Sequence, residues 1–294
     1  MKTSRFISGM VAIVATILMF YACSKEESHP KPEALFSYTI GGDGRTINFT
    51  NESTNATSYT WDFGDGQTST EVNPVHTFAE YKEYTITLTA KGPGGENVFT
   101  YKLTVTKSSP VKLDDNSFDD WSTIPDAFVS VDNNGGIINR VKLDYDGDYI
   151  YFYMEVQDNI TDSLPTGIYF DLDNDSTTGF KPWTHHAIGV DLYIEAAITT
   201  GAWSSVFEVD PALDPGWPWS EVAVSDYLVN GYHAQAGAVV KVEWAFKRSK
   251  MTAPKKQLGM GNKVTLVMTH YVNWEPAGFF PAQGAAACVF NMQP

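Results

Sequence analysis

Near the middle of the chain three carboxylates stand at alternate positions, Asp171, Asp173 and Asp175. Hard cations such as calcium bind clustered oxygen ligands of this kind. We therefore predict a structural Ca2+ ion held by these three residues. An EF-hand loop beginning at Asp171 would need glycine at its sixth position and glutamate at its twelfth. The sequence has Ser176 and Pro182 at those positions, which argues against an EF-hand.

Tryptophan recurs in segments rich in proline and glycine, a composition that favours loops over strands. The flat face of an exposed indole stacks on the C–H face of a sugar ring. Large aromatic side chains on loops reduce solubility unless they bind a ligand or pack. The alternative is that they cap the open ends of a core. We predict that at least two of this set stack on a sugar ligand: Trp183, Trp203, Trp217, Trp219 and Trp274.

Catalysis is not predicted. A glycosidase presents two carboxylates across a cleft, and we interpret the acidic group at 171–175 as cation coordination or turn bracing. The hydrolase motifs G-x-S-x-G and H-E-x-x-H do not occur in the sequence. Haem binding would need an axial methionine and histidine, and the candidate histidines lack diagnostic spacing. The pair His185–His186 is predicted to lie in a solvated loop, and the other candidates are His233 and His270.

The acidic residues and the tryptophans must be positioned by the strands that flank them. The stretch 168–170 consists of strand-forming residues, and Gly179 supplies the positive φ of a tight turn. After it, Val190, Leu192 and Ile194 alternate with Asp191, Tyr193 and Glu195. This period predicts a half-buried strand whose second set faces water. Similar alternation runs through 149–156, 240–246 and 264–268, and 287–292 is predicted to complete a sheet.

The second half of the chain carries a family resemblance. D-x-D-N-D-x-x-T-G from Asp171, followed by G-x-D-x-x-I-E ending at Glu195, resembles secreted β-sandwiches related to family-9 carbohydrate-binding modules and DOMON-like domains. The segments 118–125 (F-D-D-W-S-T-I-P) and 242–247 (V-E-W-A-F-K) are similar to two further motifs of that family, although Phe-Lys replaces the usual Ile-Pro. The resemblance implies a jelly-roll-like antiparallel sandwich over 112–294 that binds carbohydrate. Trp121 and Trp244 are assigned to its core, and burial is favoured over ligand binding for the tyrosines at 149, 151 and 153.

The first half resembles a different family. W-D-F-G-D-G at 61–66 and P-V-H-T-F-A-E-Y at 74–81 are similar to the polycystic kidney disease (PKD) domain. That resemblance implies a small immunoglobulin-like sandwich over 34–107 that acts as a spacer, with Trp61 in the core. His76 matches a structural position of the family, and we find no nucleophile spaced for catalysis around it. The fold class predicted for the whole chain is therefore all-β.

The amino terminus has the pattern of a bacterial lipoprotein. Lys2 and Arg5 precede an apolar segment that ends at Cys23, and the pattern predicts a signal peptide over 1–22. Lipidation of Cys23 and the acidic residues after it imply an outer-membrane lipoprotein facing outward. Residues 23–33 are predicted to be a flexible tether. The alternative is an ordinary signal peptide with an incidental cysteine.

Composition limits the partners. The formal net charge is -15, and phosphate binding needs clustered lysine and arginine, so nucleic acid is not a predicted ligand. The two cysteines are Cys23 and Cys288, and Cys288 is expected to be a small core residue.

Together these patterns predict a non-catalytic surface lipoprotein that binds polysaccharide and passes it to glycoside hydrolases and a transporter. A structural or adhesion lipoprotein that binds protein partners is the main alternative.

Overall fold

The computed structural model describes residues 29–159, 164–210, 212–213 and 218–292. The predicted signal peptide, the predicted lipidation site Cys23, most of the predicted tether and Trp217 lie outside the described residues. No α-helix occurs in the described part of the chain, and no helix there is long and apolar enough to cross a membrane. The described 3-10 helices are Asp119–Thr123, Arg248–Lys250 and Pro254–Lys256.

Seven strands occupy the first third of the chain. They form a three-stranded sheet in the order β1-β2-β5 and a four-stranded sheet in the order β4-β3-β6-β7. Strands β1 to β7 are Phe36–Ile40, Thr46–Asn51, Ser58–Asp62, Thr68–Ser69, Val75–Thr77, Glu83–Gly92 and Gly95–Thr104.

Contacts between Cα atoms divide the chain into two compact units. The smaller unit holds 49–74 and 85–101 with the chain up to Ser37. Its core is aromatic, because the rings of Phe36 and Phe49 both pack against Trp61, at 5.1 and 5.4 Å between centroids. Trp61 is fully buried, as predicted, and donates its indole N–H to the Glu71 carbonyl.

The larger unit holds 38–48, 75–84 and 102–294. His76 is buried there, with its ring 4.6 Å from that of Phe78, a packing role that agrees with its predicted structural assignment. The predicted boundaries at 34–107 and 112–294 stay a prediction.

Most of the larger unit is built from fourteen further antiparallel strands. A five-stranded sheet has the order β15-β16-β10-β9-β8, and a seven-stranded sheet has the order β14-β13-β12-β11-β19-β20, with β21 also paired to β19. Strands β17 and β18 form a separate pair. Strands β8 to β21 are Asp126–Val129, Ile138–Tyr145, Tyr149–Gln157, Pro165–Asp171, Leu192–Ala197, Ser204–Val209, Trp219–Glu221, Leu228–Ala236, Val239–Lys247, Thr252–Ala253, Leu258–Gly259, Lys263–Val272, Glu275–Phe280 and Cys288–Asn291.

The core of this larger sandwich lies between its two sheets. The alternating apolar positions of β10 and β16 face inward, where Phe152 stacks on Trp244 with 5.1 Å between ring centroids. Ile168 and Met268 face them from the other sheet. Cys288 packs half-buried against this core, as expected, and burial raises the pKa of its thiol to about 11. The predicted all-β class, a small sandwich followed by a larger antiparallel one, is confirmed.

Residues 111–124, here called the strap, cover the outer face of the five-stranded sheet. Trp121 is buried, as predicted, and its indole N–H donates to the Glu243 carboxylate over 2.7 Å. Tyr151 and Tyr153 are buried beneath the strap. The preference for burial over ligand binding is therefore confirmed for these two tyrosines.

A second segment, 180–190, covers part of the outer face of the seven-stranded sheet. The prediction that Asp191 and Tyr193 face water is wrong, because both are buried, while Glu195 is half-buried. Val190 packs with Ile188 on this outer face of the sheet. It was predicted to share the inner face with Leu192 and Ile194, which do lie there. Alternation predicted the two faces of β12 but not the chain segment that packs over one of them.

Candidate functional site

The tip of the hairpin between β19 and β20 carries an exposed tryptophan. Val272 pairs with Glu275, so that Asn273 and Trp274 alone form the turn. Both have positive φ, 51° and 65°, which is the type I′ geometry normally taken by Asn-Gly. A large side chain in this region costs about 1–3 kcal/mol, and such strain is concentrated at functional sites. Trp274 is nevertheless 62% exposed.

Trp203 supports Trp274 from the neighbouring end of the same sheet. Their ring centroids lie 5.6 Å apart with 35° between the ring planes. Trp203 is half-buried, and its carbonyl accepts a hydrogen bond from the Ala197 N–H, which ties it to β12. A cleft of about 230 Å³ lies beside Trp274, lined also by Pro165 and Tyr271. This volume is below the range of about 300–1,000 Å³ typical for ligand pockets.

Three tyrosines, here called the tyrosine patch, lie on the outer face of the same sheet: Tyr169, Tyr193 and Tyr271. The rings of Tyr169 and Tyr193 stack with 4.5 Å between centroids, and the hydroxyls of Tyr169 and Tyr271 lie 3.0 Å apart. Gly167 makes room for the patch, since a Cβ there would lie 2.9 Å from the Tyr193 ring. Burial raises the pKa of all three phenols, which therefore remain protonated at neutral pH.

Glu195 adds a carboxylate to the tyrosine patch. It pairs with Gly167 across β11 and β12 and with Ser205 across β12 and β13. Its hydrogen bond with Tyr193 and its charge both help to raise the pKa of that phenol, after burial and the neighbouring tyrosines. The candidate site therefore combines flat apolar surface with hydrogen-bonding groups. Its members are half-buried Trp203, exposed Trp274, the tyrosine patch and Glu195.

The other predicted tryptophans lie elsewhere. The prediction that Trp219 stands on an exposed loop is wrong: it lies in β14, is 9% exposed, and packs against Phe180 and Tyr193. Trp183 is on a loop and is 63% exposed, as expected for a surface aromatic. Trp217 lies outside the described residues.

The predicted calcium ligands are only partly brought together. The carboxylates of Asp171, Asp173 and Asp191 lie within 4.8 Å of one another. Asp175 is not in this group, because its carboxylate accepts hydrogen bonds from the backbone and hydroxyl of Thr177. Asp191 takes its place because the strand following the loop brings it beside Asp171.

The three carboxylates of this acidic group are only partly compensated by positive charge. Burial, reinforced by a hydrogen bond with Asp173, raises the pKa of Asp171 to about 6. Lys256 donates to Asp191, which compensates one carboxylate. The oxygen-only donor set suits a hard cation, and Gly179 turns the preceding loop with the predicted positive φ of 70°.

Two of the candidate histidines, His185 and His270, are buried and hydrogen-bonded. His185, predicted to be solvated, is buried, with its Nε2 3.0 Å from the Pro281 carbonyl oxygen, and burial lowers its pKa. His270 lies between Asp158 and Thr166, at 2.8 and 3.1 Å, in an order that resembles a catalytic triad. Thr166 and His270 are fully buried.

One part of the chain matches a known family. Residues 28–111 match the model of the PKD domain, which confirms that prediction. The chain is 43% identical over 53 residues to the collagenase ColA of Bacillus cereus, and 54% identical over 39 residues to its collagenase ColQ1. These matches cover 18% and 13% of this chain but only 6% and 4% of the collagenases. The remainder of those enzymes has no counterpart in the alignment.

Two solved structures are similar to parts of the chain. The PKD1 domain of the Vibrio cholerae metalloprotease PrtV is 32% identical and covers 26% of this chain and 98% of its own, with a TM-score of 0.24. A structure of carbohydrate-binding modules from the β-sandwich superfamily is 14% identical, covers 85% of this chain and 98% of its own, and has a TM-score of 0.28. A likeness at this level leaves the ligand of the larger sandwich open.

Pattern reasoning missed the tyrosine patch and Asp191 as site residues. The signal for both was present, since Tyr169, Asp171, Asp191 and Tyr193 alternate with core positions along two consecutive strands. Alternation assigns such residues to one face, but only the pairing of β11, β12 and β19 places them side by side.

Proposed function

We propose that the chain is a non-catalytic surface lipoprotein that binds polysaccharide through its larger sandwich. The observation that supports this most directly is Trp274, an exposed indole held in a strained turn against Trp203. A purely structural turn at this position would favour glycine, which adopts positive φ without strain. The strain is therefore consistent with a functional requirement for the indole.

The groups around Trp274 match what a sugar offers. The C–H face of a pyranose is apolar and stacks on an aromatic ring, while its hydroxyls both donate and accept hydrogen bonds. Tyr271 lines the cleft, and its hydroxyl belongs to a hydrogen-bonded pair with Tyr169. Protonated phenols provide both donors and acceptors for such hydroxyls.

The rest of the chain would present this site to the medium. We propose that Cys23 carries a lipid in the outer membrane and that the PKD domain holds the larger sandwich away from that surface. The captured glycan would pass to partner hydrolases and a transporter. Replacement of Cys23 by alanine is expected to release the protein from the membrane fraction, and retention of the variant in that fraction would contradict the anchor.

Affinity gel electrophoresis against a panel of polysaccharides tests the binding function. Retardation by at least one polymer is expected, and Trp274→Ala or Trp203→Ala should weaken it at least about tenfold, as for the central aromatic residues of other interfaces. Tyr101→Ala, which removes an exposed aromatic ring of the PKD domain, is the matched control and should bind normally. Absence of retardation by every polymer would instead favour the adhesion alternative.

A structural calcium ion is a second, separate proposal. Asp171, Asp173 and Asp191 would hold it, and its charge would offset the repulsion among these carboxylates. Bound calcium would brace the loop that leads into β12, without a role in any reaction.

A further inference from the structure

The charges of the seven-stranded sheet limit which glycan it can bind, an inference that rests on the proposed function. Among the residues of its described strands there is one lysine and no arginine, and Lys263 lies at the start of β19, the end opposite Trp274. The same strands carry five carboxylates: Asp171, Glu195, Glu208, Glu221 and Glu275. Asp171 and Glu208 are buried, and within these strands no lysine or arginine lies near the tryptophans.

Two of these carboxylates lie close to the proposed binding surface. Glu275 follows Trp274 directly and is exposed. Glu195 lies on β12 beside the tyrosine patch, where it pairs with Gly167 of β11. An anionic sugar stacked on Trp274 would bring a like charge towards both side chains. Such juxtaposition of like charges in an interface weakens binding.

The polar groups of the site are suited to hydroxyls. The patch hydroxyls of Tyr169 and Tyr271 are neutral and lie in hydrogen-bonding contact with each other. Glu195 is an acceptor, and a sugar hydroxyl is a donor that needs no counter-ion. We infer that the ligand is an uncharged glycan, and that Glu195 selects against polymers bearing carboxylate or sulfate groups.

The inference is tested with a neutral glucan and its carboxymethylated derivative, or with another matched pair whose neutral member binds in the panel. The full-length protein is expected to bind the neutral polymer at least about tenfold more tightly at low salt. Affinity for the neutral polymer should be nearly independent of ionic strength, whereas screening should partly restore binding of the anionic one.

Glu195→Gln should raise affinity for the anionic polymer severalfold and so reduce the preference for the neutral polymer. Glu221→Gln removes the same charge from β14, at the far edge of the sheet, and should change the preference less. Equal effects of the two variants would overturn the selective role of Glu195.

Trp274→Ala separates this inference from the proposed function. If the anionic polymer binds as tightly as the neutral one and both are lost in Trp274→Ala, the charge preference is wrong and the binding function stands. If the variant binds every polymer as well as the wild type does, the proposed site itself is wrong.

Discussion

The indole N–H of Trp121 donates to the carboxylate of Glu243 over 2.7 Å, and this hydrogen bond joins the strap to the five-stranded sheet. Glu243 is fully buried and also accepts from the backbone of Tyr232. Both donors favour the charged form, but burial outweighs them and raises the pKa of Glu243 to about 7. The contact is therefore sensitive to pH near neutrality.

Stability should decline as pH rises from about 4.5 to about 7. An acid whose pKa is raised in the fold is protonated there while the unfolded chain is already ionised, so that folding becomes less favourable across this window. The slope is at most about 1.4 kcal/mol per pH unit. Denaturant unfolding at several pH values measures this slope. The Glu243→Gln variant should lose the slope, whereas the control variant Glu221→Gln should keep it. An unchanged slope in Glu243→Gln would show that other groups cause it.

Replacement of Trp274 by glycine should separate binding from folding. Glycine removes backbone strain of about 1–3 kcal/mol, whereas loss of the ring contact with Trp203 costs about 0.5–1.5 kcal/mol. The melting temperature should therefore stay the same or rise, while polysaccharide binding is lost. Trp274→Ala keeps the unfavourable φ and should melt lower than the glycine variant. A large loss of stability in Trp274→Gly would assign the indole a structural role.

The exposed Trp183 and the buried Trp219 should respond differently to truncation. Trp219→Ala removes packing against Phe180 and Tyr193 and should cost about 3–5 kcal/mol of unfolding free energy. Trp183→Ala, at an exposed site, should change stability by less than about 0.5 kcal/mol. Urea unfolding of both variants measures the difference, and similar losses in the two would contradict the observed burial.

Calcium should raise the melting temperature, and a chelator should lower it, because a ligand that binds only the native state adds stability. Asp191→Asn should abolish this response, since Asp191 belongs to the acidic group. Asp175→Asn is the matched control, because Asp175 lies outside the group, and it should respond like the wild type. A wild-type melting temperature that neither calcium nor chelator changes would remove the calcium proposal.

Several features of the fold follow from local patterns. Alternation in 149–156 and 240–246 correctly predicted β10, β16 and their inward faces, because a strand has a period of two residues wherever it lies. The motif residues around Trp61 were sufficient to predict the PKD domain, which the family match confirms. Trp121 and Trp244 are buried, as their assignment to the core of the larger sandwich predicted.

Other features could not be read from local patterns. Composition placed Trp219 in a loop, yet β14 pairs with β13 and buries it. Spacing chose Asp175 as a calcium ligand, whereas strand pairing brings Asp191 beside Asp171. His185 was predicted to be solvated, but it is buried, with Nε2 close to the Pro281 carbonyl oxygen. Each of these errors arose because the sequence does not show which distant segment packs beside or over a given face of a sheet.

The sequence by itself determined the all-β class, the two sandwiches and the inward faces of β10 and β16, because hydrophobic period and turn residues act over a few neighbouring positions. Only the tertiary structure decided which aromatic side chains remain exposed and which carboxylates meet. Those outcomes depend on contacts between segments far apart in the chain, as between Trp203 and Trp274 or Asp171 and Asp191. Long-range pairing, rather than local preference, therefore defines the candidate site.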